Sequence, residues 1–468
     1  MISLILIFPI IACLLIFMAK NKAINNFMIN LYAVIHFICS SCLCLGFNPC
    51  DIKQNLFITD DLNKIFLMVL SVVFLAVTIY NNGYMKDETA SDKKLRHYSY
   101  AVLFFILSMT GTILSSNLGI SWVSIEATTL ASAYLIYFHK TKHSIEAAWK
   151  YVFICSIGIA LAFAGIILLT ISTGDLNSLY FTDLYNNAQT FNIFWLKLAF
   201  VFILFGIGTK MGLAPVHFWL PDAHAQSPSP ISALLSATLL NCAFFIILKV
   251  YKILVIASCN DWAKVMLFAM GFLSLFIASV FIYHINNYKR MLAYSSIENM
   301  GILAIGTALG GAGTIAAVIH LIGHSFIKAS FFMTSGNILK IYDTKKIKSV
   351  TGLMSVDKKT GWLWILSFLG ISAFPPSILF ISEFLILKTM LKQHHFVMGG
   401  FFLILLTIVL YGLVKAVFRM SVIDDKERAK VKLPVVMYAP QIVLLLLAFV
   451  CGIYFPYFDA IKQAVTGY

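Results

Sequence analysis

The sequence predicts an all-α polytopic membrane protein with about fourteen transmembrane helices. Of its 468 residues, 60% are hydrophobic and only 12% are charged, whereas a soluble globular chain carries about 25% charged residues. Apolar runs of about 20 residues, the length that crosses a bilayer as a helix, recur along the whole chain. No stretch is polar enough to form a soluble domain, so the membrane domain is expected to make up essentially the whole protein.

The apolar runs follow one another with short polar connections between them. The first begins at the N-terminus without a basic leader or a small-residue cleavage site, which predicts a retained span and not a signal peptide. The predicted spans are 2–19, 27–46, 62–80, 98–116, 119–138, 148–172, 193–213, 231–251, 262–283, 291–309, 314–339, 361–391, 398–418 and 435–457.

Glycine and proline interrupt two of these spans. Because proline removes a backbone donor and clashes with the preceding turn, both helices should break, at places that protein or water surrounds. A pair of broken helices five spans apart predicts two inverted five-helix repeats, although two structural kinks are an alternative. The interrupting residues are Gly206, Gly208, Gly212 and Pro215 in or after span seven, and Gly370, Pro375 and Pro376 in span twelve.

The repeats divide the chain into four parts. Residues 1–97 form helices one to three, and residues 98–260 form the first repeat, helices four to eight, with broken helix seven. Residues 261–420 form the second repeat, helices nine to thirteen, with broken helix twelve. Residues 421–468 contain helix fourteen.

The surplus of positive charge, +14 at pH 7, is interpreted as a signal of topology. Basic residues of bacterial inner-membrane proteins gather in cytoplasmic loops, so no nucleic acid partner is expected. Alternate loops divide the lysines and arginines unequally, and the richer set should face the cytoplasm, with both termini on the other side. The poorer set contains only Lys53, Lys64, Lys249, Lys252, Lys264, Lys388, Lys392 and Lys462.

The cysteines form no convincing redox or metal motif. Cys39 and Cys42 make a CxxC inside an apolar run, but no second CxxC completes a zinc site, and packing as small hydrophobic residues is favoured. Cys50 and Cys259 fall in loops. Phosphate loops, nucleophile elbows and metal-ligand clusters are also missing from the sequence, so we predict no catalytic residue, no metal and no cofactor in this chain.

Several ionisable residues lie inside predicted spans, where each costs about 2.5–3.5 kcal/mol. The acidic ones are Glu126, Glu298 and Glu383, and Lys210 lies beside the first break. His320, His324 and Lys328 recur at i, i+4 and i+8 and therefore share one helix face. Such a stripe suits a hydrated proton path, although single structural hydrogen bonds of the histidines are the alternative.

Two pairs of polar residues need separate interpretation. Glu126 and Lys210 invite pairing, because a nearby carboxylate stabilises a buried ammonium. His217 and His224 flank the Leu220-Pro221-Asp222 turn and are interpreted as structural, since they lack the spacing and the third ligand of a zinc site.

Three segments resemble the antiporter-like subunits of respiratory complex I, Mrp-type sodium/proton antiporters and group 4 hydrogenases. They are GTKMGLAPVHFWLPDAHAQSP (208–228), similar to the seventh-helix signature, YKRMLAYSSIENMG (288–301), and the stripe from His320 to Lys328. The segments WVSIEATTLAS (122–132) and SSIENM (295–300) look closest to the F-type subunit of hydrogenase-4. Ser382-Glu383-Phe384 is similar to the M-type subunit of complex I.

This resemblance implies a proton route and about fourteen helices. Glu126 and Lys210 would be the coupled pair of the input half, and Lys210 would exchange its proton with the stripe. Glu383 would be the relay on the exit side. Many relatives carry lysine where this chain has Asn241, which can hold water but cannot carry a proton. Either water, with Glu298 or the histidines, bridges that gap, or this member conducts protons poorly. Asn241 and Glu298 are therefore secondary candidates.

The predicted function is that of a proton-translocating, non-catalytic membrane subunit driven by a partner's redox chemistry. Alternatives are a component of a multisubunit cation/proton antiporter or of a proton-linked inorganic-carbon uptake complex, and a mainly structural subunit. Expected partners are other membrane subunits, a large soluble catalytic partner and lipid.

Overall fold

A computed structural model of the chain describes residues 1–19, 21–47, 56–86, 91–422, 429–454 and 458–466. Cys50 and Lys53 of the predictions above lie outside these ranges. The regular elements inside them are helices, with only three isolated β-bridges, so the predicted all-α class is confirmed. In chain order the α-helices are α1 (Ile2–Ala19), α2 (Lys22–Cys44), α3 (Asp61–Tyr84), α4 (Asp92–Leu114), α5 (Leu118–Ile136), α6 (Lys142–Ser172), α7 (Phe181–Asn187), α8 (Ile193–Met211), α9 (Trp219–Gln226), α10 (Ser229–Leu234), α11 (Leu240–Ile256), α12 (Asn260–Ile282), α13 (Tyr288–Leu309), α14 (Ala312–Tyr342), α15 (Leu353–Val356), α16 (Lys358–Ile371), α17 (Ile378–Lys392), α18 (Phe396–Val422), α19 (Ala439–Ile453) and α20 (Phe458–Ala464).

A helix, or an interrupted pair of helices, lies at each predicted span. Within the described ranges, eleven helices are long and apolar enough to cross a membrane, with α10 and α11 taken as one. The remaining three positions are α5, α13 and the pair α16 and α17, which carry Glu126, Glu298 and Glu383 respectively. The polytopic membrane class is therefore confirmed, while the count of fourteen spans, the inverted repeats and the four-part division stay predictions.

The centre of the molecule is built from α10, α11, α13 and α14. Helix α10 continues through one π-helical turn, Leu235–Leu239, into α11, and both are buried along their length. Helix α14 packs against α3, α10, α13, α16, α17 and α19. Large apolar side chains of α1, α6 and α18 are exposed on the outside, as expected of a surface that lipid or other membrane subunits cover.

The first predicted interruption is confirmed at the end of α8. Gly212 has a φ of +78°, the left-handed conformation that glycine adopts readily at a helix C-terminus. The Trp219 indole N–H donates to the Thr209 carbonyl at 2.7 Å, and the Ala214 amide donates to the Ser274 hydroxyl at 2.9 Å. Protein groups thus form hydrogen bonds with backbone groups that could form none with lipid.

The second predicted interruption is confirmed between α16 and α17. Helix α16 ends at Ile371, and Ala373 has a φ of +51°. The Ser377 hydroxyl donates to the Gly370 carbonyl at 3.0 Å and accepts from the Leu379 amide at 3.3 Å. One side chain therefore forms hydrogen bonds with backbone groups at both the end of α16 and the start of α17.

Helices α6 and α8 cross in close contact because glycines face each other. A Cβ atom on Gly206 would lie 2.5 Å from the Gly158 carbonyl oxygen and 2.5 Å from the Ala162 nitrogen. Neither backbone atom can move aside as a flexible side chain would. The crossing brings Tyr151 of α6 beside Lys210 at the end of α8.

Candidate functional site

Lys210 lies in the last turn of α8, directly before the first break, and is completely buried. Its Nζ donates to the Tyr151 hydroxyl at 2.9 Å and lies 4.8 Å from the centre of the Tyr151 ring. A cation is also favoured at this end of a helix by the helix dipole. The predicted position of Lys210 beside a broken helix is therefore found, with a partner that the sequence did not indicate.

Glu126 lies in α5 and is only partly buried. Its carboxylate accepts a hydrogen bond of 2.9 Å from the Thr129 hydroxyl. In the part of the chain that the structure describes, Glu126 and Lys210 form no ion pair. The two residues that were expected to couple thus have separate hydroxyl partners in this structure.

Tyr151 is a buried residue that sequence reasoning missed. Its hydroxyl lies 2.6 Å from the Ser132 hydroxyl, which in turn donates to the Thr128 carbonyl. Its ring packs against the Trp219 ring, with 4.9 Å between centroids. A tyrosine in an apolar span is common, so only its contact with Lys210 singles it out.

The stripe of α14 is fully buried, and its three predicted members lie on one uninterrupted helix. Lys328 donates from Nζ to the Leu292 carbonyl of α13 at 2.8 Å. His324 has no hydrogen-bond partner for either ring nitrogen among the described residues. Buried polar groups are rarely left without a partner, so His324 is an exception that needs an explanation.

His320 joins three helices through its two ring nitrogens. Nδ1 lies 2.9 Å from the Ser382 hydroxyl of α17, and Nε2 lies 3.0 Å from Asn299 Oδ1 of α13. The Asn299 amide nitrogen donates to the Ser295 carbonyl at 2.6 Å, which leaves Oδ1 to accept from His320.

The surroundings of His320 can accommodate both of its protonation states. In the neutral ring, Nε2–H donates to Asn299 and the Ser382 hydroxyl donates to Nδ1. In the imidazolium, Nδ1–H donates to Ser382, whose own hydrogen turns to the Leu379 carbonyl, 2.8 Å away. Rotation of one hydroxyl therefore suffices for this histidine to gain or lose a proton without leaving a polar atom unpaired.

Asn241 lies at the start of α11, beside the stripe. Its amide nitrogen donates to the Ser325 hydroxyl and to the Ala237 carbonyl, both at 2.7 Å, while Oδ1 is buried without a protein partner among the described residues. Ser325 follows His324 directly. Asn241 thus adjoins the stripe and keeps one acceptor free.

Glu298 and Glu383 approach the stripe from α13 and α17. Glu298 is buried and lies within electrostatic range of Lys328, and Glu383 is half-buried. Neither forms an ion pair within the described ranges. The contact between α17 and the stripe runs through Ser382, the neighbour of Glu383, and not through the carboxylate.

The segment after the first break is helical, which corrects its interpretation as a turn. Asp222 of α9 forms ion pairs with Lys150 of α6, at 3.1 Å, and with Arg290 of α13. His224 of the same helix is buried and stacks on Phe332 at 4.7 Å, with both ring nitrogens lacking a partner among the described residues. His224, interpreted from the sequence as structural, is thus a further buried polar residue without a protein partner.

The absence of a metal or cofactor from this chain stays a prediction. No group of three or more His, Cys, Asp or Glu side chains in the described part of the chain could hold a metal ion. Cys39 and Cys42 lie in α2 with free thiols.

Comparisons with known proteins give one family. The profile of the NADH:quinone oxidoreductase/Mrp antiporter transmembrane family matches residues 115–410. A hydrogenase-4 component F homolog of Methylacidiphilum infernorum (isolate V4) is 33% identical over 464 residues, which cover 97% of this chain and 96% of the relative.

Two longer relatives match in part. Hydrogenase-4 component B of Escherichia coli (strain K12) is 29% identical over 337 residues, 69% of this chain and 49% of the relative. A Na⁺/H⁺ antiporter subunit A1 of Staphylococcus haemolyticus (strain JCSC1435) is 28% identical over 353 residues, 72% of this chain and 43% of the relative. The matched part spans less than half the length of these two proteins.

Two solved structures share the fold. A chain of the membrane-bound sulfane sulfur reductase, an archaeal respiratory membrane complex, superposes with a TM-score of 0.90 at 20% identity, covering 100% of this chain and 97% of that chain. A chain of the Mrp complex from Dietzia sp. DQ12-45-1b has a TM-score of 0.88 at 14% identity, covering 99% and 96%. At these identities the likeness concerns the fold alone.

Proposed function

This chain belongs to the NADH:quinone oxidoreductase/Mrp antiporter transmembrane family, and on that premise we propose that it translocates protons within a multisubunit membrane complex. It is an antiporter-like membrane subunit, and the proposal adds that a partner's redox chemistry drives its proton transport. The observation that carries the proposal is the set of fully buried ionisable side chains at the centre, Lys210, His320, His324 and Lys328. A purely structural core gains nothing from such groups, because each costs several kcal/mol to bury.

The proposed route begins at Glu126 and Lys210 and continues along the stripe. His320 supports it most directly, since both its neutral and its charged forms find partners. Glu383 would receive the proton on the exit side, through the Ser382 contact of α17. Glu298 and Lys328, which lie within electrostatic range of each other, would adjust the charge of the stripe as the proton passes.

Water is proposed as the carrier between the protein groups. No direct hydrogen bond among the described residues joins Lys210 to the stripe, and proton transfer over such a gap needs intervening water. The free nitrogens of His324 and His224 and the free Oδ1 of Asn241 are the polar atoms that such water would contact. Asn241 would then hold water where many relatives place a lysine.

The partners follow from the same proposal. Other membrane subunits would cover part of the exposed apolar surface, and lipid would cover the rest. A large soluble partner would supply the redox chemistry, as no cofactor is proposed for this chain. The membrane is proposed to be a bacterial inner membrane, with both termini outside the cytoplasm because the loops on the cytoplasmic side hold more basic residues.

A second candidate function is cation/proton antiport without redox chemistry. The observation that favours it is the match to Na⁺/H⁺ antiporter subunits. The alternatives of inorganic-carbon uptake and of a mainly structural subunit have no observation of their own in their favour.

The proposal is tested by replacing Lys210. We expect Lys210→Ala to abolish proton pumping in sealed membrane vesicles while the complex stays assembled, because the input half loses its buried ammonium group. Pumping would be followed with a fluorescent pH indicator and assembly by native gel electrophoresis. Mass spectrometry of the purified complex would identify the driving partner.

The matched control is Lys415→Ala. Lys415 of α18 also lies over a tyrosine ring, 4.3 Å from the centre of Tyr283, but it is exposed. Its replacement should leave pumping unchanged. Retained pumping in the assembled Lys210→Ala complex would refute the proposed route, and a sodium-dependent proton flux without any redox partner would favour the antiport function.

A further inference from the structure

We propose that Tyr151 is a positioning residue for Lys210, which holds the ammonium group away from Glu126 until the acid displaces it. The inference rests on the proposed function, since it assigns a role within the input half. It concerns a residue that the route above does not use. Its basis is the set of hydroxyl contacts between α5, α6 and α8.

The first step concerns the partner of Lys210. The hydrogen bond to the Tyr151 hydroxyl, 2.9 Å long, is the only one that Lys210 makes among the described residues. The Tyr151 ring lies 4.8 Å from the same nitrogen and adds a cation–π attraction. An ammonium group that is completely buried thus depends on one side chain for its polar contact.

The second step concerns the direction of these hydrogen bonds. A lysine ammonium only donates, so the Tyr151 oxygen accepts from Lys210. The Ser132 hydroxyl donates to the Thr128 carbonyl, so its oxygen accepts from Tyr151 at 2.6 Å. The series runs from Lys210 through Tyr151 to a backbone carbonyl, which cannot pass a proton on. Tyr151 therefore holds Lys210 in place and does not conduct.

The third step concerns Glu126, the competing partner. Its carboxylate accepts from Thr129, one turn further along α5, and Ser132 lies on the following turn of the same helix. Glu126 and Lys210 form no ion pair among the described residues, so pairing requires the ammonium group to move toward the carboxylate. The hydrogen bond to Tyr151 opposes that movement. Ser132 belongs to α5 and Tyr151 to α6, so a shift of α5 against α6 would loosen the contact that orients the Tyr151 hydroxyl. The Thr129–Glu126 contact lies within α5 and would persist.

The test removes the hydroxyl and keeps the ring. Tyr151→Phe retains the packing on Trp219 and the ring face below Lys210, and we expect proton transport by the intact complex to fall about tenfold, the cost of one hydrogen bond to a charged group. The control is Tyr32→Phe, which also removes a buried hydroxyl, bonded to the Ile5 carbonyl at 3.2 Å, on α2 and therefore outside the three helices α5, α6 and α8. Tyr32→Phe should leave the transport rate within about twofold of the wild type. A twofold change corresponds to much less free energy than the loss of one hydrogen bond to a charged group.

Two further readouts separate positioning from packing. Ser132→Ala should lower transport in the wild-type background and have no further effect in the Tyr151→Phe background, because both act on one series of contacts. The pH at which transport is half-maximal should also move in Tyr151→Phe and stay unchanged in Tyr32→Phe. A tyrosine that serves packing alone would give additive effects and an unchanged pH profile.

The outcomes distinguish this inference from the proposed function. If Lys210→Ala abolishes transport while Tyr151→Phe transports at the wild-type rate with the wild-type pH profile, the positioning role is overturned and the route stands. If Lys210→Ala still transports, the proposed function fails first. A Tyr151→Phe complex that does not assemble leaves Ser132→Ala, whose unchanged rate and pH profile would equally overturn the role.

Discussion

Lys210, His320 and Lys328 each lose their contact with water and each regain a polar contact from the protein. The contacts are a tyrosine hydroxyl, a serine–asparagine pair and a backbone carbonyl, and none of them is an opposite charge. An ion pair would hold a proton in one place, because separating it inside a protein is costly. Neutral partners hold the side chains in position while leaving their protonation free to change, which suits groups that pass a proton on.

His139, which follows the end of α5, permits a prediction about stability. Burial, together with the ammonium groups of Lys289, Lys345 and Lys94, lowers the pKa of His139 from 6.5 to about 4. Between pH 6.5 and pH 4, His139 binds a proton in the unfolded chain but not in the folded chain. The free energy of unfolding therefore falls as the pH drops below 6.5. We expect a loss of about 1 kcal/mol at pH 5, discounted for partial exposure, seen as a lower unfolding temperature of the purified complex.

The variant His139→Gln carries no titratable group at this position. Its unfolding temperature should fall less between pH 7 and pH 5 than that of the wild type, by roughly 2 °C. Equal falls for the two proteins would show that other groups determine the acid sensitivity.

At the scale of single elements, both breaks were predictable and their surroundings were not. Glycine and proline have local backbone consequences, so Gly212 and Pro376 mark the interruptions in the sequence itself. The side chains that satisfy the freed backbone groups, such as Ser274, come from other helices. Their role depends on how helices pack, which a single sequence without relatives does not show.

The same reason explains which site residues were found. Lys210 and the stripe were predictable because a charge inside an apolar run is conspicuous. Tyr151, Asn299 and Ser382 were missed because neutral polar residues are ordinary in such runs, and they contact their partners across 59, 21 and 62 positions of the chain.

The crossing of α6 and α8 yields a prediction about packing. We expect Gly206→Ala to destabilise the protein by about 1–3 kcal/mol, because the added methyl group would meet backbone atoms of Gly158 and Ala162 at 2.5 Å. Pushing the helices apart would also separate Tyr151 from Lys210. The unfolding temperature and the transport rate should therefore fall together.

Gly208 of the same helix provides the control. A methyl group there would come no closer than 3.4 Å, to the flexible end of Met270. Gly208→Ala should leave both quantities nearly unchanged. If Gly206→Ala were as stable as Gly208→Ala, the close crossing would not position the input half.

At the scale of the whole molecule, an apolar exterior surrounds a polar centre. Large apolar side chains are exposed on α1, α6 and α18, whereas α13 and α14 carry the largest sets of buried polar residues. These polar residues lie among a large cluster of buried apolar side chains.

The central claim, that protons cross the interior of this chain, is tested most directly by measuring proton flux. The purified complex would be sealed into liposomes with an internal pH indicator, and turnover of the redox partner would drive proton transport. We expect the wild type to conduct well above protein-free liposomes, and Lys328→Ala, in an assembled complex, to conduct about a hundredfold more slowly because the stripe loses its cation. Flux at the protein-free level for the wild type, or equal flux in the variant, would contradict the account.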